Sequence, residues 1–208
     1  MFTGIIQQTG RIQRAELLAS GMQLAIAASC QDYTAGESIA VNGCCLTVAE
    51  IDAASTVWHA HLSAETLSLT HFKSLRVGDV VNLERSLTLA SLLGGHLVSG
   101  HLDGQAQVVA FAPQGDDRRL VVKILNTALL KFICKKGSIA LNGVSLTVNE
   151  VRHDTCQLNL VPHTLASTNL GALKVGALLN LEVDMLARYL HRLYDAQQAE
   201  DCHNVIAT

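Results

Sequence analysis

This 208-residue chain is short of charge: Asp, Glu, Lys and Arg make up 16% of it, against roughly 25% in a typical soluble domain, while 49% is hydrophobic. A monomer of that composition is short of charge for its surface, so part of its apolar surface is expected to be buried between chains. A strong excess of either sign is missing too. The formal net charge is −3, and no basic run exceeds the pairs Arg118-Arg119 and Lys135-Lys136, which argues against a nucleic-acid or membrane-surface partner and favours small ligands. No apolar run reaches the roughly 18 residues a membrane span needs. The opening residues carry no basic group ahead of their apolar positions and turn polar at Gln7, unlike a secretory signal; the expectation is a cytoplasmic protein. Six cysteines, Cys30, Cys44, Cys45, Cys134, Cys156 and Cys202, lack the spacing of a disulfide framework and are expected to be reduced.

Metal and nucleotide motifs are also absent. No Cys-x-x-Cys or His-Glu-x-x-His is present; His96 and His101, five apart, would face opposite sides of a strand, and His59 and His61 share a face without a second pair nearby. No Gly-x-Gly-x-x-Gly or Gly-Lys-Ser/Thr sequence supports a dinucleotide fold or nucleotide hydrolysis. Neither a metal nor a cofactor is expected.

What the chain does have is a repeat. Ser38-Ile39-Ala40-Val41-Asn42-Gly43-Cys44-Cys45-Leu46-Thr47-Val48 returns as Ser138-Ile139-Ala140-Leu141-Asn142-Gly143-Val144-Ser145-Leu146-Thr147-Val148. Leu75-Arg76-Val77-Gly78 with Asn82-Leu83-Glu84 returns as Leu173-Lys174-Val175-Gly176 with Asn180-Leu181-Glu182, and, more weakly, Phe2-Thr3-Gly4-Ile5-Ile6 returns as Val98-Ser99-Gly100-His101-Leu102. Order is kept at an offset of roughly 96 to 100 residues, which describes a duplicated domain. Each Asn-Gly is a strong hairpin signal, because both turn positions need positive φ. With further strands read at residues 57–62, 80–84, 120–124, 158–161 and 178–183, and a polar turn at residues 113–119, the pattern predicts two small all-β barrels, residues 1–96 and 97–193, divided at Gly94-Gly95. After Asp184 the period changes. Leu186, Tyr189, Leu190 and Leu193 form one stripe of a helix over about 185–198, followed by a flexible tail at 199–208.

Alternation along the strand after each Asn-Gly puts Cys45 and Thr47 on one face, and Ser145 and Thr147 on the same face of the second copy. Two readings stay open: exposed strand polarity, or two sites of one kind for two similar ligands. His101, beside Gly100, is either a proton carrier or a hydrogen-bonded structural residue.

Met1-Phe2-Thr3-Gly4-Ile5-Ile6, Asn-Gly-Cys-Cys-Leu-Thr-Val at 42–48, Gly-Gly-His-Leu-Val-Ser-Gly-His at 94–101 and Asn-Gly-Val-Ser-Leu-Thr-Val at 142–148 together resemble the riboflavin synthase family. The resemblance covers residues 1–190. It implies two six-stranded Greek-key barrels and a C-terminal helix that gathers three chains into a homotrimer. It also implies the reaction: two molecules of 6,7-dimethyl-8-ribityllumazine exchange a four-carbon unit to give riboflavin and 5-amino-6-(D-ribitylamino)uracil. Carried over by position, an N-terminal pocket would comprise Gly4, Ile5, Ile6, Cys45, Leu46, Thr47, His61, Leu62, Ser63, Ala64, Glu65 and Thr66. A C-terminal pocket would comprise Gly100, His101, Leu102, Lys136, Ser145, Leu146, Thr147, Leu160, Val161, Pro162, His163, Thr164 and Leu165. The roles implied are proton transfer for His101, ring hydrogen bonding for Ser145 and Thr147, contact with the acceptor ring for Cys45, ribityl binding for Thr66 and Thr164, and orientation or proton exchange for Asp184. His163 stands where the family has Glu, and Ala64 where a longer polar residue is common. Association with lumazine synthase is a further implied possibility, and a non-catalytic lumazine or flavin carrier of the same superfamily is the rival reading.

Overall fold

The computed structural model describes residues 1–29, 32–52 and 56–206, with residues 199–206 as backbone only. Cys30 and the Cys202 side chain lie outside the described residues. The N-terminal half contains β1 (Gln8–Leu18), β2 (Gly21–Ala27), β3 (Ser38–Val41), β4 (Cys44–Thr47), β5 (Glu50–Ile51), β6 (Val57–Ser63), the short helix α1 (Ala64–Leu69) and β7 (Val80–Arg85). The C-terminal half repeats them as β8 (Gly104–Gln114), β9 (Asp117–Ile124), β10 (Ser138–Leu141), β11 (Val144–Arg152), β12 (Thr155–Leu160), α2 (Pro162–Ser167) and β13 (Leu178–Val183), then adds α3 (Met185–Ile206).

Both Asn-Gly turns form as expected. Asn42 and Gly43 take φ of 42° and 81°, Asn142 and Gly143 φ of 46° and 78°, and the hairpins they close share one register: Ala40 faces Cys45, and Ala140 faces Ser145. The C-terminal sheet is a closed barrel in the order β10-β11-β12-β9-β8-β13. In it β10, β11 and β12 are linked by hairpins and β13 returns to lie beside β10, which is the Greek-key connection. In the N-terminal sheet, β4-β3-β7-β1-β2-β6-β5, the two end strands are pieces of the single strand that β11 forms in the other half. The Ala49 N–H donates to the His59 carbonyl at 2.8 Å, carrying that interrupted strand along β6. Both halves are thus six-stranded barrels.

Three details depart from the sequence reading. The long strands β1 and β8 and strand β2 were not singled out there, since their side chains alternate irregularly around the bulges at Ile12/Arg14 and Val108/Ala110. The turn expected over 113–119 narrows to Gly115 and Asp116, with Pro113 paired to Arg118, because Gly115 accepts φ of 64° and closes the hairpin in two residues. Finally, α3 continues to Ile206 where a flexible tail was expected from 199; the segment holds no Gly or Pro to stop it.

Each barrel has its own core, built on Ile12, Leu24, Ile26, Trp58 and Leu83 in the first and on Val108, Leu120, Ile139, Leu158 and Leu179 in the second. They meet about a local two-fold axis. A Cβ on Gly43 would lie 2.7 Å from the Gly143 nitrogen, and the reverse is equally close, so the two turns touch backbone to backbone. Around them runs a buried amide network. The Asn82 amide donates to the Asn142 carbonyl at 2.9 Å, the Asn180 amide to the Asn42 carbonyl at 3.0 Å, and the backbone N–H groups of Asn82 and Asn180 donate to the side chains of Asn42 and Asn142. One position breaks the symmetry: Asn169 reaches Asn42 at 3.0 Å, while its counterpart His71 reaches Asn142 through Nε2 at 3.2 Å.

Candidate active site

The weakest element of the repeat builds the site. Phe2 and Val98 pair antiparallel across the axis, N–H to carbonyl at 2.8 and 3.1 Å, and both are buried with Ala40 and Ala140 in a small third cluster. Each chain segment is then gripped by a carboxylate that is all but inaccessible. Glu84 accepts from Thr3 N–H and Oγ1 at 2.6 Å each and from Gly4 N–H at 3.0 Å; Glu182 accepts from Ser99 N–H and Oγ at 2.7 Å each and from Gly100 N–H at 2.9 Å. Burial pushes both carboxyls above the usual range, with these donors opposing it.

Beyond the bridge the two segments cross to opposite barrels. The Cys45 N–H donates to the Gly100 carbonyl and the Ser145 N–H to the Gly4 carbonyl, both at 2.8 Å. Leu102 enters the N-terminal core and Ile6 packs on the C-terminal one. Only glycine fits at the contact: Gly4 and Gly100 have φ of 76° and 82°, and a Cβ on either would lie 2.6 Å from the Cβ of Ser145 or Cys45. The expected partition of these residues is therefore corrected. Gly100, His101 and Leu102 belong with the N-terminal barrel, and Gly4, Ile5 and Ile6 with the C-terminal one, because an antiparallel pairing about the axis carries each segment past its own barrel.

The resulting N-terminal pocket is a cavity of about 270 Å³ lined by Cys44, Cys45, Glu65, Thr66, Leu69, Thr70, Gly100, His101 and Leu102. It brings together Cys45, His101 and Thr66, which the sequence places far apart. Helix α1 forms one wall, started by Ser63, whose side chain accepts the Thr66 N–H at 3.1 Å. The neighbouring Cys44 is less suited to react: burial pushes its thiol up to about 12. Thr47, His61 and Ala64 are exposed on adjoining surface. The side chains of Leu46 and Leu62 lie in the N-terminal core, and those of Leu146 and Leu160 in the C-terminal one, so these four shape the sites through their backbone rather than by side-chain contact.

The C-terminal half repeats the frame with other side chains. Ser145 is half-buried and Thr147 exposed, as Cys45 and Thr47 are. Pro162 opens α2 without a side-chain cap, His163 and Val161 are exposed, Thr164 is half-buried, and Leu165 packs on the core. Lys136 holds φ of 68°, the left-handed conformation its counterpart Gly36 adopts at 88°, and donates its N–H to Val148 at 2.7 Å. Asp184 accepts the Leu186 N–H at 2.9 Å and starts α3. Sequence reasoning did not assign His96, whose Nδ1 lies 2.7 Å from Ser145 Oγ, nor Glu84 and Glu182, although their recurrence in the repeat was the available signal. Among the described residues no group of three or more His, Cys, Asp or Glu is arranged to hold a metal ion, and no helix is long and apolar enough to cross a membrane.

Fold and site together define a duplicated-barrel protein with one crossed frame repeated in each half. The lumazine binding domain matches this chain twice, over residues 3–86 and 99–184. Riboflavin synthase of Photobacterium phosphoreum is 40% identical over 212 residues, spanning 100% of this chain and 95% of that protein; that of Brucella abortus (strain 2308) is 41% identical, spanning 95% of this chain and 100% of that protein. The crystal structure of LumP complexed with 6,7-dimethyl-8-(1'-D-ribityl) lumazine aligns with a TM-score of 0.79 at 28% identity, over 88% of this chain and 99% of that one. The chain belongs to the riboflavin synthase family of duplicated lumazine binding domains.

Proposed function

We infer that this protein is a riboflavin synthase, converting two molecules of 6,7-dimethyl-8-ribityllumazine into riboflavin and 5-amino-6-(D-ribitylamino)uracil. The observation that carries the reading is the duplicated, crossed frame, which repeats one backbone arrangement with different reactive side chains. A dismutation needs that arrangement: one lumazine loses a proton from its C7 methyl group, and the other accepts the resulting carbanion at C7. Holding two rings in register converts an encounter into an aligned pair, worth up to about 7 to 11 kcal/mol in favourable cases.

Cys45 and His101 lie against the same cavity, so His101 is assigned to proton transfer and Cys45 to contact with the ring in the N-terminal pocket. Thr66 in α1 and Thr164 in α2 hold ribityl hydroxyls, and Ser145 with Thr147 hydrogen-bonds the ring in the C-terminal pocket. The productive pair forms between the N-terminal barrel of one subunit and the C-terminal barrel of its neighbour in a homotrimer. Support comes from α3, where Leu186, Tyr189, Leu190, Leu193 and Tyr194 are 54% to 68% exposed, an apolar stripe that one chain leaves uncovered. Free Cys44, Cys45, Cys134 and Cys156 suit the reducing cytoplasm. Mixing the purified protein with the lumazine and following riboflavin absorbance tests the reading. Tight binding without turnover would instead favour a carrier.

A further inference from the structure

We propose that His96 is a positioning residue that fixes the Ser145 hydroxyl as a hydrogen-bond donor to the ligand of the C-terminal pocket. The proposal deepens the reading of the site as a lumazine pocket and rests on it. His96 is 8% exposed, and its Nδ1 lies 2.7 Å from Ser145 Oγ. Its other nitrogen, Nε2, is buried with no hydrogen-bond partner. That decides the tautomer. A buried N–H without an acceptor costs more than a buried lone pair, so the proton sits on Nδ1 and is donated to Ser145 Oγ. A hydroxyl carries a single hydrogen; with its oxygen already accepting from the imidazole, that hydrogen turns outward to the ligand.

The contact is held from both sides. The His96 N–H donates to the Thr3 carbonyl at 3.1 Å, and a Cβ on the preceding Gly95 would lie 2.1 Å from that same oxygen and 2.8 Å from the Ser145 Cβ, so only glycine lets the imidazole reach the hydroxyl. Burial lowers the pKa of His96 and so favours the neutral imidazole, against the opposing charge of Asp184. Among the described residues no imidazole hydrogen-bonds the Cys45 thiol, the repeat counterpart of Ser145. One pocket therefore offers a fixed O–H donor and the other a soft thiol. A donor aimed at the ring stabilises the negative charge that spreads over it when the C7 methyl group is deprotonated.

Four variants test this: Ser145→Ala, His96→Gln, His96→Asn and the double variant His96→Gln with Ser145→Ala. The Asn amide nitrogen occupies the place of Nδ1 and can still donate; the Gln amide reaches the place of Nε2 and cannot. Folding is checked by thermal melting, and riboflavin formation and lumazine affinity are measured from pH 6 to 8. The expected result is a loss of about ten- to a hundredfold in kcat/KM for Ser145→Ala and for His96→Gln, no further loss in the double variant, and His96→Asn within about threefold of wild type with a superimposable pH profile. Losses that multiply in the double variant would overturn the proposal. So would an inactive His96→Asn with an altered acid limb, since His96 would then be a base. If wild type binds lumazine but forms no riboflavin, the proposed activity fails while the same comparison, read in affinity, still judges His96.

Discussion

Replacing Gly100 by alanine tests whether a residue of the second repeat completes the pocket of the first. Two costs can be separated. The first is conformational: Gly100 has φ of 82°, and an L-residue in that region costs roughly 1 to 2 kcal/mol. Gly115→Ala isolates this term, because Gly115 has φ of 64° and nothing lies within 4 Å of a Cβ there. The second is displacement. A Cβ at Gly100 would lie 2.6 Å from the Cys45 Cβ and 2.9 Å from its nitrogen, so the segment must move away and weaken the 2.8 Å bond from the Cys45 N–H. An N–H left unpaired costs about 1 to 3 kcal/mol. The sum for Gly100→Ala is roughly 2 to 5 kcal/mol, divided between stability and ligand binding. Alkylation of Cys45 by iodoacetamide, mapped by mass spectrometry with and without lumazine, reads the N-terminal pocket alone. In wild type and in Gly4→Ala the ligand should protect Cys45; in Gly100→Ala protection should be lost, while Gly115→Ala loses only stability. If Gly4→Ala abolishes protection and Gly100→Ala preserves it, the crossed assignment is wrong.

Other outcomes follow from the same geometry. Burial lowers the pKa of His71, so its contribution to stability is complete above the unfolded value near 6.5 and is lost as pH falls through the lower folded value, at no more than about 1.4 kcal/mol per pH unit; His71→Asn, which copies Asn169, should flatten urea-unfolding stability between pH 6.5 and 5, and parallel curves would refute the argument. Asn82 is fully buried and bonded to both Asn142 and Asn169, so Asn82→Ala should cost about 3 to 5 kcal/mol in the same assay; a loss below 1 kcal/mol would remove the network from the interface. At pH 8 Cys44, held near 12, should resist iodoacetamide while Cys45 reacts, and equal rates would contradict the pocket geometry. Deletion of the residues after Asp184 should leave folded barrels without synthase activity; an active monomer by sedimentation would refute the trimer.

The duplication, both hairpins and the stripe of α3 were legible because each rests on local chemistry: Asn-Gly turns, alternation over a few residues, a 3.6-residue period. The crossing was not. It depends on how two apolar segments pair across an axis, and the segment around Phe2 looks the same whether it folds on its own barrel or on the other. Glu84 and Glu182 were visible as repeat positions, but acidic residues at the end of a strand read as solvent-facing until the backbone donors they satisfy are known. His96 was weighed only as a metal ligand, five residues from His101. Its partner is Ser145, brought close by the barrel rather than by spacing. Leu46, Leu62, Leu146 and Leu160 were placed in pockets by the resemblance; their side chains lie in the barrel cores, and strand alternation already turns Leu46 away from Cys45 and Leu146 away from Ser145.

Comparing the halves position by position shows which residues the duplication keeps and which it releases. Thr3 and Ser99, Gly4 and Gly100, Asn42 and Asn142, Gly43 and Gly143, Asn82 and Asn180, Glu84 and Glu182 are the same or equivalent, and every one belongs to the crossed frame or the axis. Cys45 against Ser145, Glu65 against His163 and Ile5 against His101 differ, and Cys45, Glu65 and His101 line the N-terminal cavity. Thr66 and Thr164, assigned to the ribityl chain, stay the same. Two identical halves in a symmetric dimer would be bound to carry identical pockets; joining them in one chain removes that constraint while the axis preserves the geometry. A reaction between two copies of one substrate profits from this division, since the common ribityl handle needs equal binding and the two rings must be driven toward opposite charge. On that reasoning the difference between the pockets serves turnover rather than binding. Making Cys45→Ser and Ser145→Cys separately should lower turnover far more than lumazine affinity, and equal losses in both would show that the difference serves binding alone.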